Sequence, residues 1–361
     1  MGPGSTADSV SAPLLVPGIE GLRSFSAGPN TMFYVDPSGR LYSWGANVNG
    51  SGNCGEPGSL GRAVDGCFDR VPTQFGPEND HCSVSAARAP PVVNDKPSTG
   101  HACAIREGGR LACWGMNEEG QLGIGTFTGA ELYTDSIPLV DELPWIGVAA
   151  GAATTCAISG LLEEGVDCPR GRGSGSVYCW GNNGSSEFGY STTPARRASP
   201  EARSLGDATH VVGSDSVFCG RVRDSSIQCW GPTDFGQRGT SILIATIPPS
   251  GILLADSTSL IASRPPVAGP RTLFAMDPDG QVHAWGVTNV PGIVPTDGRC
   301  EDGEDCLLQA APIEVGPTII QVAAGKNMIC LLDDEANLRC FGDNTRGQLG
   351  TGDPSGYVCL E

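Results

Sequence analysis

The sequence predicts an all-β fold, a six-bladed β-propeller with four strands to a blade. Three observations carry this. One short motif recurs six times along the 361 residues. Every copy sits in a similar frame of strands and glycine turns. The composition suits many short strands: 52 Gly and 28 Pro supply turns without the three-residue period of collagen, and 39% hydrophobic residues can fill a large core.

The motif reads apolar, any residue, small or Cys, aromatic, Gly. Its copies are Leu41-Tyr-Ser-Trp-Gly45, Leu111-Ala-Cys-Trp-Gly115, Val177-Tyr-Cys-Trp-Gly181, Ile227-Gln-Cys-Trp-Gly231, Val282-His-Ala-Trp-Gly286 and Leu338-Arg-Cys-Phe-Gly342. Upstream lies a strand ending in Ala-Gly, as at Val148-Ala-Ala-Gly151 and Val322-Ala-Ala-Gly325, followed by a second strand. Downstream lies a turn such as Gly120-Gln-Leu-Gly123, then a short Pro-containing strand such as Ile137-Pro-Leu-Val140. Four strands per unit follow. A single unit cannot bury both of its faces, so six units imply a ring.

The ends suggest how the ring closes. Ser11-Ala-Pro-Leu-Leu-Val16 matches the Pro-Val strand that ends a unit, yet no unit precedes it. It is expected to complete the last blade and hide an edge. A seven-bladed or truncated ring is the alternative. Residues 1–8 read as an expression scar that is expected to be disordered, so a natural signal peptide is expected to have been removed. Residues 9–361 are expected to form one domain, with insertions at about 53–98, 161–176 and 297–310. Loops on a rigid scaffold are where recognition usually sits.

These units resemble the repeats of the regulator of chromosome condensation family. Gly100-His-Ala-Cys-Ala104, Cys113-Trp-Gly-Met-Asn117, Val148 to Cys156 and Gly342-Asp-Asn-Thr-Arg-Gly-Gln-Leu-Gly350 carry the resemblance, which covers nearly the whole chain from about Ser9. The Cys-Trp-Gly form is similar to that of the family's bacterial extracytoplasmic members. The resemblance implies a propeller. It leaves function open, because members include a nucleotide exchange factor, secreted β-lactamase inhibitors and bacterial surface proteins.

The 15 cysteines are patterned. Cys103 and Cys113, Cys219 and Cys229, and Cys330 and Cys340 each stand ten apart around a turn. Residues equidistant from a hairpin turn face each other at disulfide distance. Cys156 and Cys179 hold the same positions around a longer loop. In units one and five both positions lack Cys (Phe33 with Ser43, Phe274 with Ala284), and packing alone would not remove both together. Four disulfides are therefore expected, and with them an oxidising compartment: secreted, periplasmic or cell surface. Cys300 with Cys306 and Cys54 with Cys67 are further candidate pairs. Cys82, Cys168 and Cys359 are left over, and Cys168 is the expected free thiol, since 15 is odd.

No cofactor is expected. The cation reading the sequence offers is calcium at Asp297, Glu301, Asp302, Glu304 and Asp305, against a solvated acidic loop. Zinc at Cys54, Cys67, His81 and Cys82 lacks knuckle spacing. The four histidines (His81, His101, His210, His283) fall in different units without triad spacing, and neither a nucleophile elbow nor a phosphate loop appears. The Trp anchors occupy one repeated strand position, which points to packing between blades. With 22 basic and 40 acidic residues, the net charge of −18 repels nucleic acid and anionic membranes. No apolar run is long enough to span a bilayer. The expected function is a monomeric extracytoplasmic scaffold that binds another protein without turnover, of an adhesin or inhibitor kind. A secreted carboxylate-dependent glycan hydrolase or lyase is the second reading, and a guanine-nucleotide exchange factor the third.

Overall fold

The computed structural model describes residues 19, 21–28, 31–46, 60–62, 68–87, 92–93, 96–97, 100–137, 143–162, 165–169, 173–189, 194–203, 205–232, 234, 236–239, 250–251, 260, 262, 264–269, 271–287, 306–313, 316, 318–325, 328–335, 337–343, 349 and 357–358. Among them, the chain is built of strands, with a single 3-10 turn at Glu107–Gly109.

In chain order the strands are β1 (Ser24–Ala27), β2 (Thr31–Val35), β3 (Leu41–Ala46), β4 (Phe68–Gln74), β5 (His81–Ala86), β6 (Val92–Val93), β7 (Lys96–Pro97), β8 (His101–Arg106), β9 (Arg110–Met116), β10 (Ala130–Ile137), β11 (Trp145–Ala150), β12 (Thr154–Leu161), β13 (Ser174–Asn182), β14 (Arg196–Ala202), β15 (Ala208–Gly213), β16 (Phe218–Val222), β17 (Ile227–Trp230), β18 (Ser250–Gly251), β19 (Val267–Ala268), β20 (Thr272–Met276), β21 (Val282–Val287), β22 (Cys306–Pro312), β23 (Ile319–Gly325), β24 (Met328–Asp333), β25 (Leu338–Asp343) and β26 (Tyr357–Val358). Antiparallel four-stranded sheets run β1-β2-β3-β4, β5-β8-β9-β10, β19-β20-β21-β22 and β23-β24-β25-β26. A larger sheet joins β11-β12-β13-β14 to β15-β16-β17-β18 through one residue pair, Gly175 with Ala208. β6 and β7 form a separate small hairpin.

The first strand of each set lies beside the first strand of the next, from β1 through β5, β11, β15 and β19 to β23. Serines stitch the early part of this row. The amides of Val84 and Ala86 donate to Ser24 and Ser26 Oγ, at 3.2 and 3.0 Å, and the Ala150 amide donates to Ser85 Oγ at 3.0 Å. The paired order 24 to 84 and 26 to 86 makes β1 and β5 run in the same direction.

Middle strands such as β8 and β12 are buried on both faces, and every residue of β8 is buried, whereas β24 in the last set alternates. Asp residues start several of the second hairpins. Asp36 Oδ1 accepts from the amides of Ser38 and Arg40, and Asp277 Oδ1 from those of Asp279 and Gln281. The Gly after each aromatic anchor has a reason as well. In Gly181 φ is +101°, and a Cβ there would stand 2.3 Å from the Ala153 carbonyl oxygen. Only Gly fits a left-handed backbone pressed that close to its neighbour.

Residues 53–98 are not one insertion. They contain β4, the last strand of the first set, and β5, the first strand of the second. Pro72 within β4 hides the first, and β5 ends in Ala86-Ala87 where other units carry Ala-Gly. The true excursion separates β5 from β8 over 87–100, where β1 and β2 are separated only by 28–30 and β11 and β12 by 151–153. Likewise 161–176 partly extends a hairpin, since Leu161 pairs with Ser174 and Ser159 with Ser176. The stretch 297–310 runs into β22 at Cys306. Residues 11–16 lie outside the described residues, and the place beside the end of β25 is held by β26, through Gly342 with Val358 and Asp343 with Tyr357.

Candidate recognition surface and the junction beneath it

A repeated polar scaffold holds the connections that leave β9 and β13, the third strands of two successive sets. Asn117 Nδ2 donates to the carbonyl oxygen of Thr126 and to Thr128 Oγ1, both at 2.9 Å, while its Oδ1 accepts from the Leu122 amide at 3.0 Å. Asn183 repeats this one unit later, with Pro194 O at 3.1 Å and the Phe188 amide at 3.0 Å. The turn so fixed caps the next unit. Trp180 Nε1 donates to Gln121 O at 2.9 Å, and Trp285 Nε1 donates to Gln237 O at 2.8 Å. The closing Gly of the turn lies against the following Trp: a Cβ on Gly61, Gly123 or Gly189 would meet Trp114, Trp180 or Trp230 within 2.7 Å. Trp114, Trp180, Trp230 and Trp285 are fully buried.

His101 belongs to this scaffold. Its Nε2 lies 2.7 Å from Thr155 Oγ1, and that hydroxyl donates to the same Gln121 oxygen at 2.7 Å. Complete burial pushes the His101 pKa down to about 3, so the ring is neutral. Burial also raises the pKa of Glu187, which occupies the Gln position of the third unit. There the Asn182 side chain donates to Oε1 and the Ser185 amide to Oε2.

The turn joining first and second strands is closed by one backbone bond in several units: Gly28 to Thr31, Gly151 to Thr154 and Gly269 to Thr272, each at 2.8 Å. In the second unit the same bond persists, from the Ala87 amide to His101 O at 2.9 Å, although the β6–β7 excursion is spliced into the turn. The excursion thus rises from a fixed base. The pairing Thr272 with Gly286 shows that third strands end where second strands begin. The connection from β21 through 288–305 therefore starts from this same end of the sheets.

The other end carries a junction of three units. Asp80 precedes β5 and accepts from Arg106 Nε at 2.8 Å and from Arg110 Nη2. Burial works to raise its pKa, but the Arg106 hydrogen bond and the Arg106, His81 and Arg110 charges prevail and hold it below the usual carboxylate value. The Asp80 carbonyl accepts the Glu107 amide at 2.8 Å, and the Gly39 carbonyl accepts the His81 amide at 2.9 Å. Arg23, from the first unit, donates to the carbonyl oxygens of His81 and Pro37 and lies 3.6 Å from Cys168 Sγ. Cys168 is bonded to Cys82, with Cα atoms 5.3 Å apart. The expectation of a free Cys168 is corrected: the loop of the third unit folds back over the second, a contact between positions 86 apart that hairpin spacing cannot reveal.

The other disulfides are Cys103–Cys113, Cys156–Cys179, Cys219–Cys229 and Cys330–Cys340, each joining directly paired residues of adjacent strands with Cα atoms 4.1 Å apart. Cys306 is also disulfide-bonded, to a partner outside the described residues. Cys54, Cys67, Cys300, Cys359 and the carboxylates Asp297, Glu301, Asp302, Glu304 and Asp305 lie outside them too. Among the described residues no cluster of three His, Cys, Asp or Glu could hold a metal ion. No helix there is long and apolar enough to cross a membrane. The histidines lie apart. His283 Nε2 is 3.0 Å from Asp277 Oδ2, and burial lowers the pKa values of His81 and His210.

The profile of the regulator of chromosome condensation (RCC1) repeat matches residues 99–121 and 319–348. Two segments of the chain are similar to this repeat. Among curated relatives, the ultraviolet-B receptor UVR8 of Arabidopsis thaliana is 26% identical over 263 residues, covering 70% of this chain and 53% of that protein. The human E3 ubiquitin-protein ligase HERC2 is 24% identical over 336 residues, 90% of this chain but 6% of its own length. The chain thus spans about half of one relative and a small part of the other. Among solved structures, Prp20p from Saccharomyces cerevisiae superposes with a TM-score of 0.74 at 17% identity, covering all of this chain and 82% of that one. The fold is an RCC1-like β-propeller.

Proposed function

We propose that this RCC1-like propeller is an extracytoplasmic scaffold that binds another protein and turns nothing over. The observation that carries the reading is the β6–β7 excursion. An unchanged turn bond, Ala87 to His101, supports a loop that other units lack. Variation confined to loops above a fixed core is what a recognition platform needs. Prp20p, of the same fold, has been described with its binding to Gsp1p and histones.

The finer reading is a monomeric ring of six blades, with residues 11–16 adding to the last one along the part of β25 before Gly342, where β26 begins to pair. The disulfides within units support a secreted, periplasmic or surface location, since such bonds persist in oxidising compartments. The net charge of −18 favours a partner with a basic patch, so association should slow as salt rises. The test is capture of a partner from the native host's envelope, followed by its affinity for a variant with residues 88–99 replaced by a short Gly-Ser link. At least a tenfold loss supports the reading, on the scale of losing a central contact. Unchanged affinity removes the excursion from the site, and steady turnover of a glycan by the purified chain overturns the non-catalytic reading.

A further inference from the structure

The Cys82–Cys168 bond differs from the other described disulfides in three ways. It joins two units, whereas the four others close hairpins within one. Its two cysteines are unequal, with Cys82 buried and Cys168 partly exposed. It also has a cation: Arg23 Nη1 lies 3.6 Å from Cys168 Sγ. That guanidinium is held in place by the carbonyl oxygens of His81 at 3.1 Å and Pro37 at 2.7 Å, and no carboxylate among the described residues pairs with it. Cys103–Cys113, Cys156–Cys179 and Cys219–Cys229 are fully buried. Cys330–Cys340 is partly exposed, without a guanidinium hydrogen-bonded to its sulfurs among the described residues.

We propose that Cys82–Cys168 is a thiol–disulfide exchange site, opened by a dithiol reductant that attacks Cys168. An attacking thiolate is an anion approaching a chain of net charge −18. Arg23 reverses that repulsion locally, drawing the attacking thiolate to Cys168, and stabilises the Cys168 thiolate released in the second step. The reductant's first thiolate bonds to Cys168 Sγ as the Cys82–Cys168 bond breaks. The electron pair leaves on Cys82 Sγ, which takes a proton from water. The reductant's second thiol, deprotonated, attacks the sulfur that the reductant has placed on Cys168. The reductant leaves as a cyclic disulfide, and Cys168 leaves as a thiolate beside Arg23. Two electrons pass from dithiol to protein. The 162–173 loop then keeps the Gly108 to Asp167 backbone bond, at 3.2 Å, as its remaining described backbone tie to the second unit. The ladder up to Leu161 and Ser174 stays intact.

The test treats the folded, oxidised chain with limiting dithiothreitol, quenches with acid, alkylates and maps the peptides over time. Cys82 and Cys168 should label first, about tenfold ahead of Cys330 and Cys340, and the three buried pairs should label last. Arg23→Gln should slow the Cys82–Cys168 reaction about fivefold and Arg23→Lys should largely restore it, with the wild-type rate falling as salt rises. The Cys330–Cys340 rate in each sample reports whether the variant is folded. Equal or faster labelling of Cys330 and Cys340 in the wild type overturns the proposal, as does an Arg23→Gln rate equal to wild type.

Discussion

Lowering the pH should weaken the fold through His101. The ring is completely buried, its Nε2 faces the Thr155 hydroxyl, and its pKa is held near 3. In the unfolded chain the same group titrates near 6.5. A base whose pKa is depressed by folding contributes full stability above the unfolded value, and that stability is lost as pH falls toward the folded one. At about 1.4 kcal/mol per pH unit, the loss between pH 7 and 5 is about 2 kcal/mol, and about 5 kcal/mol once both states are protonated. His81 and His210, also depressed, add in the same direction, while the raised Glu187 opposes them. The carboxylates with lowered values, such as Asp80, act only nearer their own range, below this window. A comparison with His101→Gln isolates the one ring. Urea unfolding, followed by tryptophan fluorescence at pH 7 and 5 with disulfides intact, should show the variant losing about 2 kcal/mol less than wild type over that interval. Equal losses in the two proteins would refute the argument.

Three further outcomes follow from the scaffold. Gly181→Ala forces a Cβ against the Ala153 carbonyl in a left-handed backbone and should cost about 3 kcal/mol in denaturant unfolding, whereas Gly108→Ala, in open space at φ +72°, should cost about 1 kcal/mol. Trp180→Phe loses the bond to Gln121 O and should cost about 1 kcal/mol more than Trp230→Phe, whose indole nitrogen has no partner among the described residues. Replacing Cys82 and Cys168 together by Ser removes a closure spanning 86 residues and should lower stability by about 4 kcal/mol, read by calorimetry.

What was legible in the sequence was what repeats. The Trp-Gly anchors, the Ala-Gly turns and the ten-residue cysteine spacing are local and recur, so register and hairpin pairing could be read from them. Two cap turns carry letters that have drifted from the repeat: Leu60-Gly61 in the first unit, and Ser185 to Gly189 in the third, where Glu187 replaces Gln. Distance from the preceding Trp-Gly marks the second, since Gly181 and Gly189 are 8 apart as Gly115 and Gly123 are, but not the first, where Gly45 and Gly61 are 16 apart. β4 and β5 lack the repeat's signals, because Pro72 interrupts the first and Ala-Gly is missing after the second. The junction of Arg23, Asp80 and Cys168 was invisible for a different reason. Its members come from three units and meet through contacts of single residues, which no period announces.

The cap between units points one way. In the Trp180 and Trp285 bonds the accepting carbonyl belongs to the earlier unit and the donating indole to the later one, and Gly61, Gly123 and Gly189 face forward in the same sense. A chain that emerges amino end first, from a ribosome or an export channel, therefore finds each new docking wall already built. Assembly can proceed as an ordered accretion, and a stalled or shortened product keeps the contacts of every unit already delivered. The opposite order would leave each tryptophan waiting in water for a wall that had not yet arrived.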